Sequence, residues 1–187
     1  MALTKEQKNK MTRYVPVAYV SFDIDSENFV YTCTQTTKNS KNELRKLNAL
    51  GNNVIIFYDK NLSSTSEDYG DIKKSYLMGK STDTQFVDIC VDKNGVINGL
   101  DVSRGRIFQY DTEGRLLNIF GGSGAQDGSF ATPAAIDDRG EDILVLDSEN
   151  NSITVFSPTQ YTKTLHTAVA LYADGLYKEA KPYWQEL

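Results

Sequence analysis

Apolar and polar residues alternate in short runs along this chain, and the runs come in a repeating order. "FDIDSENFVYT" (22–32), "ICVDKNGVING" (89–99) and "AIDDRGEDILV" (135–145) share one plan. Each has a β-type run ending in Asp25, Asp92 or Asp138, then a short polar turn, then a second β-type run. Val, Ile, Phe and Tyr inside the runs and Asn, Asp and Gly between them are strand-and-turn chemistry. Downstream, "NELRKLNALG" (42–51), "GRIFQYDTEG" (105–114) and "NSITVFSPTQ" (151–160) align too, matching Leu44 with Ile107 and Ile153, and Leu47 with Tyr110 and Phe156. Two sets of segments that keep their order mark an internal repeat.

The middle copy predicts four strands, at about 86–91, 96–101, 106–110 and 116–120. Asp92 and Asp138 are 46 residues apart, close to the roughly 40–50 residues of a four-stranded propeller blade. From Asp25 to Asp92 the spacing is 67. Most of the excess lies in the polar stretch 59–82, expected as a surface excursion between blades with a strand of its own at 74–78. After Phe156 the third copy departs from the plan. Leu165, Ala168, Val169, Leu171 and Tyr172 keep helical spacing, and Asp174-Gly175 ends that helix. Ala180, Tyr183, Trp184 and Leu187 give a second apolar face, where Pro182 calls for a late helix start or a kink. The expected fold is therefore mainly β. Three antiparallel propeller-type blades, an incomplete propeller, occupy 15–158. A short N-terminal helix covers 1–14, and a C-terminal α-helical hairpin covers 159–187.

Composition adds limits. The 187 residues are 40% hydrophobic and 24% charged, enough to fold, and the net charge is −5. An acidic balance argues against nucleic-acid binding. "DVSRGRIFQYDTEG" (101–114) has the basic and aromatic look of an RNA-binding strand, but the other copies keep only its apolar positions. Arg104 and Arg106 become Asn150 and Ser152 in the third copy and Lys41 and Glu43 in the first. The stretch is read as the turn and third strand of a blade, with Gly105 and Gly114 at its bends. No apolar run approaches the roughly 18 residues of a membrane span, and "MALTKEQKNKM" has no apolar core of a signal peptide. Cys33 and Cys90 lie in β-type runs and are read as buried free thiols, with a disulfide between them left open. His166 is the single histidine, which excludes chemistry needing two.

"FVDICVDKNGVINGLDVSRGRIFQYDTEG" and "FATPAAIDDRGEDILVLDSENNSITVF" resemble NHL repeats, and "NIFGGSGAQDGSFATP" (118–133) resembles the connector between such blades. The first copy departs most, lacking the Gly turn and the strand-end Asp. "ALYADGLYKEAKPYWQEL" is similar to the inter-helix turn and second helix of a tetratricopeptide repeat. Together they resemble bacterial NHL-repeat proteins whose propeller runs into tetratricopeptide-like helices. The resemblance implies a longer parent of about six blades, exported and held at the membrane; an alternative location is the cytoplasm. Three blades do not close, so self-association through open blade faces is expected.

The recurring carboxylates are the first candidates for chemistry. Asp25, Asp92 and Asp138 follow the first strand of each copy, Asp101 and Asp147 end the second, and Gly95 sits in the middle turn. Carboxylates at such places accept backbone N–H bonds. They would hold a calcium or magnesium ion only if several converged. The "DIDSEN" segment lacks the Gly of an EF-hand loop. Tyr172, Tyr177, Tyr183 and Trp184 form a candidate partner surface, or alternatively the packing seam of the helix pair. The expected function is non-catalytic: a binding or scaffold module for a protein or small ligand, without cofactor. The alternative is a metal-dependent propeller hydrolase of the lactonase type.

Overall fold

The computed structural model describes residues 18–34, 44–55, 69–71, 75–77, 80–82 and 84–187. The expected helix over 1–14 lies outside these residues, as does much of 59–82. Three antiparallel sheets follow one another along the chain. The first is β1 (Tyr19–Ile24), β2 (Val30–Thr34) and β3 (Leu44–Leu47). A hairpin of β4 (Ser75–Leu77) and β5 (Lys80–Thr82) comes next. The second sheet has four strands, β6 (Phe86–Val91), β7 (Ile97–Asp101), β8 (Arg106–Tyr110) and β9 (Leu116–Gly121). The third is β10 (Pro133–Arg139), β11 (Asp142–Asp147) and β12 (Ser152–Phe156), and helices α1 (Gln160–Ala173) and α2 (Tyr177–Glu186) follow.

Strand register supports the alignment of the second set of segments. Leu44 faces Cys33, Ile107 faces Leu100 and Ile153 faces Leu146 across equivalent strand pairs. Each first strand also carries a bulge at the same place, between Tyr19 and Ser21, Phe86 and Asp88, and Pro133 and Ala135. A shared irregularity bends the three strands alike, so the sheets stack as blades.

The middle sheet explains why its strands read as almost continuous apolar runs. Phe108, Tyr110 and Ile97 pack on the first sheet with Tyr31, Leu44 and Phe86. Ile107 and Leu100 point the other way, into a second core with Phe130, Ile136 and Val145. Period-2 alternation survives, but both faces are buried. The outer sheets have only one covered face. Phe22 is 68% exposed and Ile153 62%.

The chain re-enters the core just before the second blade, contrary to a purely solvated excursion at 59–82. Tyr69 is buried, edge-on to Tyr110 at 5.2 Å, and the Gly70 N–H donates to the Tyr110 hydroxyl at 2.7 Å. The expected strand at 74–78 is β4.

Thr159 caps α1 by accepting the Thr162 N–H, and Pro158 precedes it. Gly175, at φ 76°, closes the helix, with Gly175 N–H donating to Tyr172 and Leu176 N–H to Leu171. Helix α2 starts at Tyr177 and runs through Pro182, rather than starting late. Pro182 lacks the N–H that would bond Lys178, so the first turns of α2 depend on packing, with Ala180 buried. Among the described residues, no helix is long and apolar enough to cross a membrane.

Candidate binding face

Two ends of the blades carry different side chains. At one end, four hairpin turns share one hydrogen-bond design, begun by Asp25, Asn48, Asp92 and Asp111. The first residue bonds by backbone to the fifth in both the Asp92 and Asp111 turns, and its Oδ1 accepts two further N–H groups. Asp25 Oδ1 does the same for Glu27 and Phe29, both at 2.9 Å, and Asn48 for Leu50 and Asn52. The fourth residue takes positive φ: Gly51, Gly95 and Gly114, with Asn28 at φ 66° in the first copy. Asn tolerates that conformation better than other side chains, which answers the missing glycine there. Burial pushes the Asp25 carboxyl up, but the Phe29 and Glu27 N–H groups, the Tyr31 hydroxyl and nearby Lys46 outweigh it and hold it below its usual range.

Asp138 is not at such a turn. It lies within β10, paired with Ile143, and a two-residue turn through Gly140 follows one residue later. Counted from the shared bulge, Asp138 matches Val91 rather than Asp92. Burial, then the Asp137, Asp92 and Asp23 carboxylates, push its pKa up.

At the opposite end sit Asp101 and Asp147. Asp101 is fully buried and accepts the Gln85 N–H at 2.8 Å and the Ser103 N–H at 3.0 Å. Burial raises its pKa, against the pull of those N–H groups and of Arg106. Asp147 accepts from Ala131, Thr132, Glu149 and Asn150. Burial pushes that carboxyl up too, but these donors prevail and hold it low. Thr34 takes the matching place in the first blade.

The two arginines that flank Gly105 are ion-paired. Asp71 accepts from Arg104 Nη1 at 2.6 Å and from Arg106 Nη2. Sequence reading missed Asp71 because it lies in the polar insertion, far along the chain.

The same reading missed Asp23 and Asp88, whose only signal is a carboxylate inside an apolar run. Asp23 Oδ2 accepts the Val91 N–H of the next blade at 2.8 Å, and Asp88 Oδ2 accepts the Ile136 N–H of the blade after at 2.7 Å. In both, Oδ1 accepts the following residue's own N–H. Each inner strand thus clamps the free edge of its successor. Asp137 makes the same local bond, to Asp138 N–H at 2.9 Å, on the last blade.

Helix α1 runs along the turn end, tied to the third blade by Lys163 and Glu141 at 2.9 Å. Three clefts are described beside it. One of about 550 Å3 lies between Asp25, Lys46, Asp92, Gly95 and the C-terminal end of α1. A second of about 260 Å3 contains His166. The third, about 400 Å3, is lined by Leu116, Leu117, Leu165, Tyr172 and Trp184. Of the four candidate aromatics, Tyr172 and Trp184 line that cleft, while Tyr172 and Tyr177 rings stand 5.0 Å apart. All four, Tyr183 included, keep substantial exposure. Cys33 and Cys90 are buried free thiols, and burial pushes the Cys33 thiol up to about 12, which makes it a poor nucleophile. Among the described residues, no group of three or more His, Cys, Asp or Glu could hold a metal.

Three repeated sheets, one shared bulge and clamped inner strands define the architecture. The fold is propeller-like. No protein-family model matches the chain, and no curated protein does. It is similar in structure to a protein of unknown function from Bacteroides caccae, at 14% identity and TM-score 0.41, covering 76% of this chain and 48% of that one. A streptogramin B lyase matches at 12% identity and TM-score 0.41, over 79% of this chain and 43% of that one. Virginiamycin B lyase from Staphylococcus aureus matches at 16% and 0.39, over 79% of this chain and 44% of that one. The chain spans less than half the length of each.

The Asp101 carboxylate carries a testable consequence. Asp101→Ala leaves the part-buried Gln85 and Ser103 N–H groups without this acceptor and is expected to cost about 1–3 kcal/mol in all. Asp101→Asn keeps an acceptor for both and discards the buried charge. Because the folded state holds this proton more tightly than the unfolded chain, the charge destabilises the fold at neutral pH, and the penalty fades as pH falls toward the unfolded carboxyl's range. Calorimetric melting from pH 4 to 7 should show the Asn variant gaining on wild type as pH rises. A gap that is constant with pH would contradict the burial cost.

Proposed function

We propose that this chain is a non-catalytic binding and scaffold module, built on NHL-like blades with tetratricopeptide-like helices, whose open blade faces seat further blades. The observation that carries this is the match between exposed and covered faces. Phe22 and Ile24 on β1 occupy the positions of Ile89 and Val91 on β6, which pack on the preceding blade. Leu146 and Ile153 occupy the positions of Leu100 and Ile107, which pack on the following blade. Among the described residues, these faces of the first and third sheets are uncovered. Asp137, exposed on the last inner strand, repeats the clamp of Asp23 without a strand to receive it.

For this chain alone, a second copy supplies both missing neighbours. Head-to-tail contact made twice closes a ring of six blades, within the usual range of propellers. Light scattering after size exclusion is expected to give twice the chain's mass at high concentration. Phe22→Glu or Ile153→Glu, both at exposed sites, should return it to one chain whose melting temperature no longer rises with protein concentration. A strict monomer throughout would sink the proposal.

The alternative, a metal-dependent hydrolase, needs carboxylates that converge on an ion. Asp25 and Asp92 instead direct Oδ1, and Asp147 both oxygens, to backbone N–H groups. A calcium-dependent rise in melting temperature would favour that alternative.

A further inference from the structure

The cavity of about 260 Å3 lies between the second and third blades, beneath α1. Its walls divide by chemistry. On one side Phe120 and Phe156 form a corner, their rings 5.1 Å apart and tilted by 60°, with Ile119 and Ile143 beside them. On the other side stand Asn118, His166, Asp92 and Glu141.

The polar side is rich in acceptors. Gln109 Nε2 donates to Asn98 Oδ1 at 2.8 Å, and Asn118 Nδ2 donates to Gln109 Oε1 at 3.0 Å. This relay crosses three strands in register and points its donors inward, so it ends at the cavity on an amide whose Oδ1 is outside the relay. Glu141 adds a carboxylate, shared with Lys163 at the rim. Among the described residues, no lysine or arginine lines the cavity. His166 Nε2 is shut off from water and has no hydrogen-bond partner. Burial holds the imidazole below its ordinary pKa, with the Asp92 carboxylate opposing.

We propose that this cavity binds a small organic amine: a single-ring apolar body against Phe120 and Phe156, with its N–H donors toward Glu141 and Asn118 and with His166 in the adjoining wall. The volume lies just below the roughly 300–1,000 Å3 of ordinary ligand sites, which limits the body to about one ring and a short chain. An ammonium near the two aromatic faces gains from their quadrupoles as well. This site is separate from the open blade faces and stands or falls independently of them.

His166 is the only histidine, so its ring proton resonance is unique in the whole chain. Titration with 2-phenylethylamine at pH 7 is expected to move that resonance saturably. The saturated protein should also titrate His166 at a lower pH than the free protein, because the bound ammonium disfavours an imidazolium beside it. The same body as 2-phenylethanol or phenylacetate is expected to bind at least about tenfold more weakly. Glu141→Gln, at an exposed turn, should shrink that preference while the melting temperature stays put. A His166 resonance that fails to move, or one that responds equally to all three probes, overturns the proposal.

Discussion

Phe108→Ala is expected to lower unfolding free energy by about 3–5 kcal/mol, a fifth or more of the roughly 5–15 kcal/mol that a domain commonly has. The ring is fully buried at the centre of the second blade. It meets Phe86 edge-on at 5.8 Å and stacks on Tyr110 at 6.4 Å. Those rings belong to the core that joins the first two blades, with Tyr31 and Leu44 from the first. Removing the ring loses its burial and leaves a cavity that strands on both sides cannot close, since each is held in register by its ladder. Urea denaturation should show the midpoint fall with little change in slope. A loss under about 1 kcal/mol would mean that the blades do not share this core.

The second large effect is expected at a backbone contact. Gly105 has φ 62°, and a Cβ placed there would sit 2.7 Å from the Gly122 carbonyl oxygen. Across the pair, a Cβ on Gly121, at φ 82°, would sit 2.8 Å from the Gly105 oxygen. Two chain segments thus approach where neither tolerates a side chain. Gly105→Ala combines a strained backbone, about 1–2 kcal/mol, with overpacking of about 1–3 kcal/mol. Gly140→Ala is the control, because Gly140 has φ 76° with open space around the added carbon. It should carry the strain alone. The difference between the two variants in chemical denaturation measures the clash, and equal losses would deny the close approach.

Much of this architecture could be read from local pattern. The strand ranges of the middle blade, the pairing of Leu44, Ile107 and Ile153, and the helix stop at Gly175 depend on alternation, turn residues and backbone preference within a few residues. Such preferences act over short distances, so a single chain displays them. The turn role assigned to Asp138 had the right pattern but the wrong register, because a two-residue turn at Gly140 shortens that hairpin.

Contacts made over many residues were decided only by folding. Asp23 and Asp88 are ordinary carboxylates in the sequence. They become clamps because propeller stacking brings the inner edge of the next strand, 68 and 48 residues away, to their second oxygen. Asp71 pairs with both Arg104 and Arg106 from 33 and 35 residues off. Tyr69 fills the core from a stretch that reads as polar, and His166 reaches a cavity walled by two blades. Local spacing therefore determined that the chain makes repeated antiparallel blades followed by helices. Which side chains meet, which charges are satisfied and which faces stay open follow from packing, where free energy depends on neighbours distant in sequence.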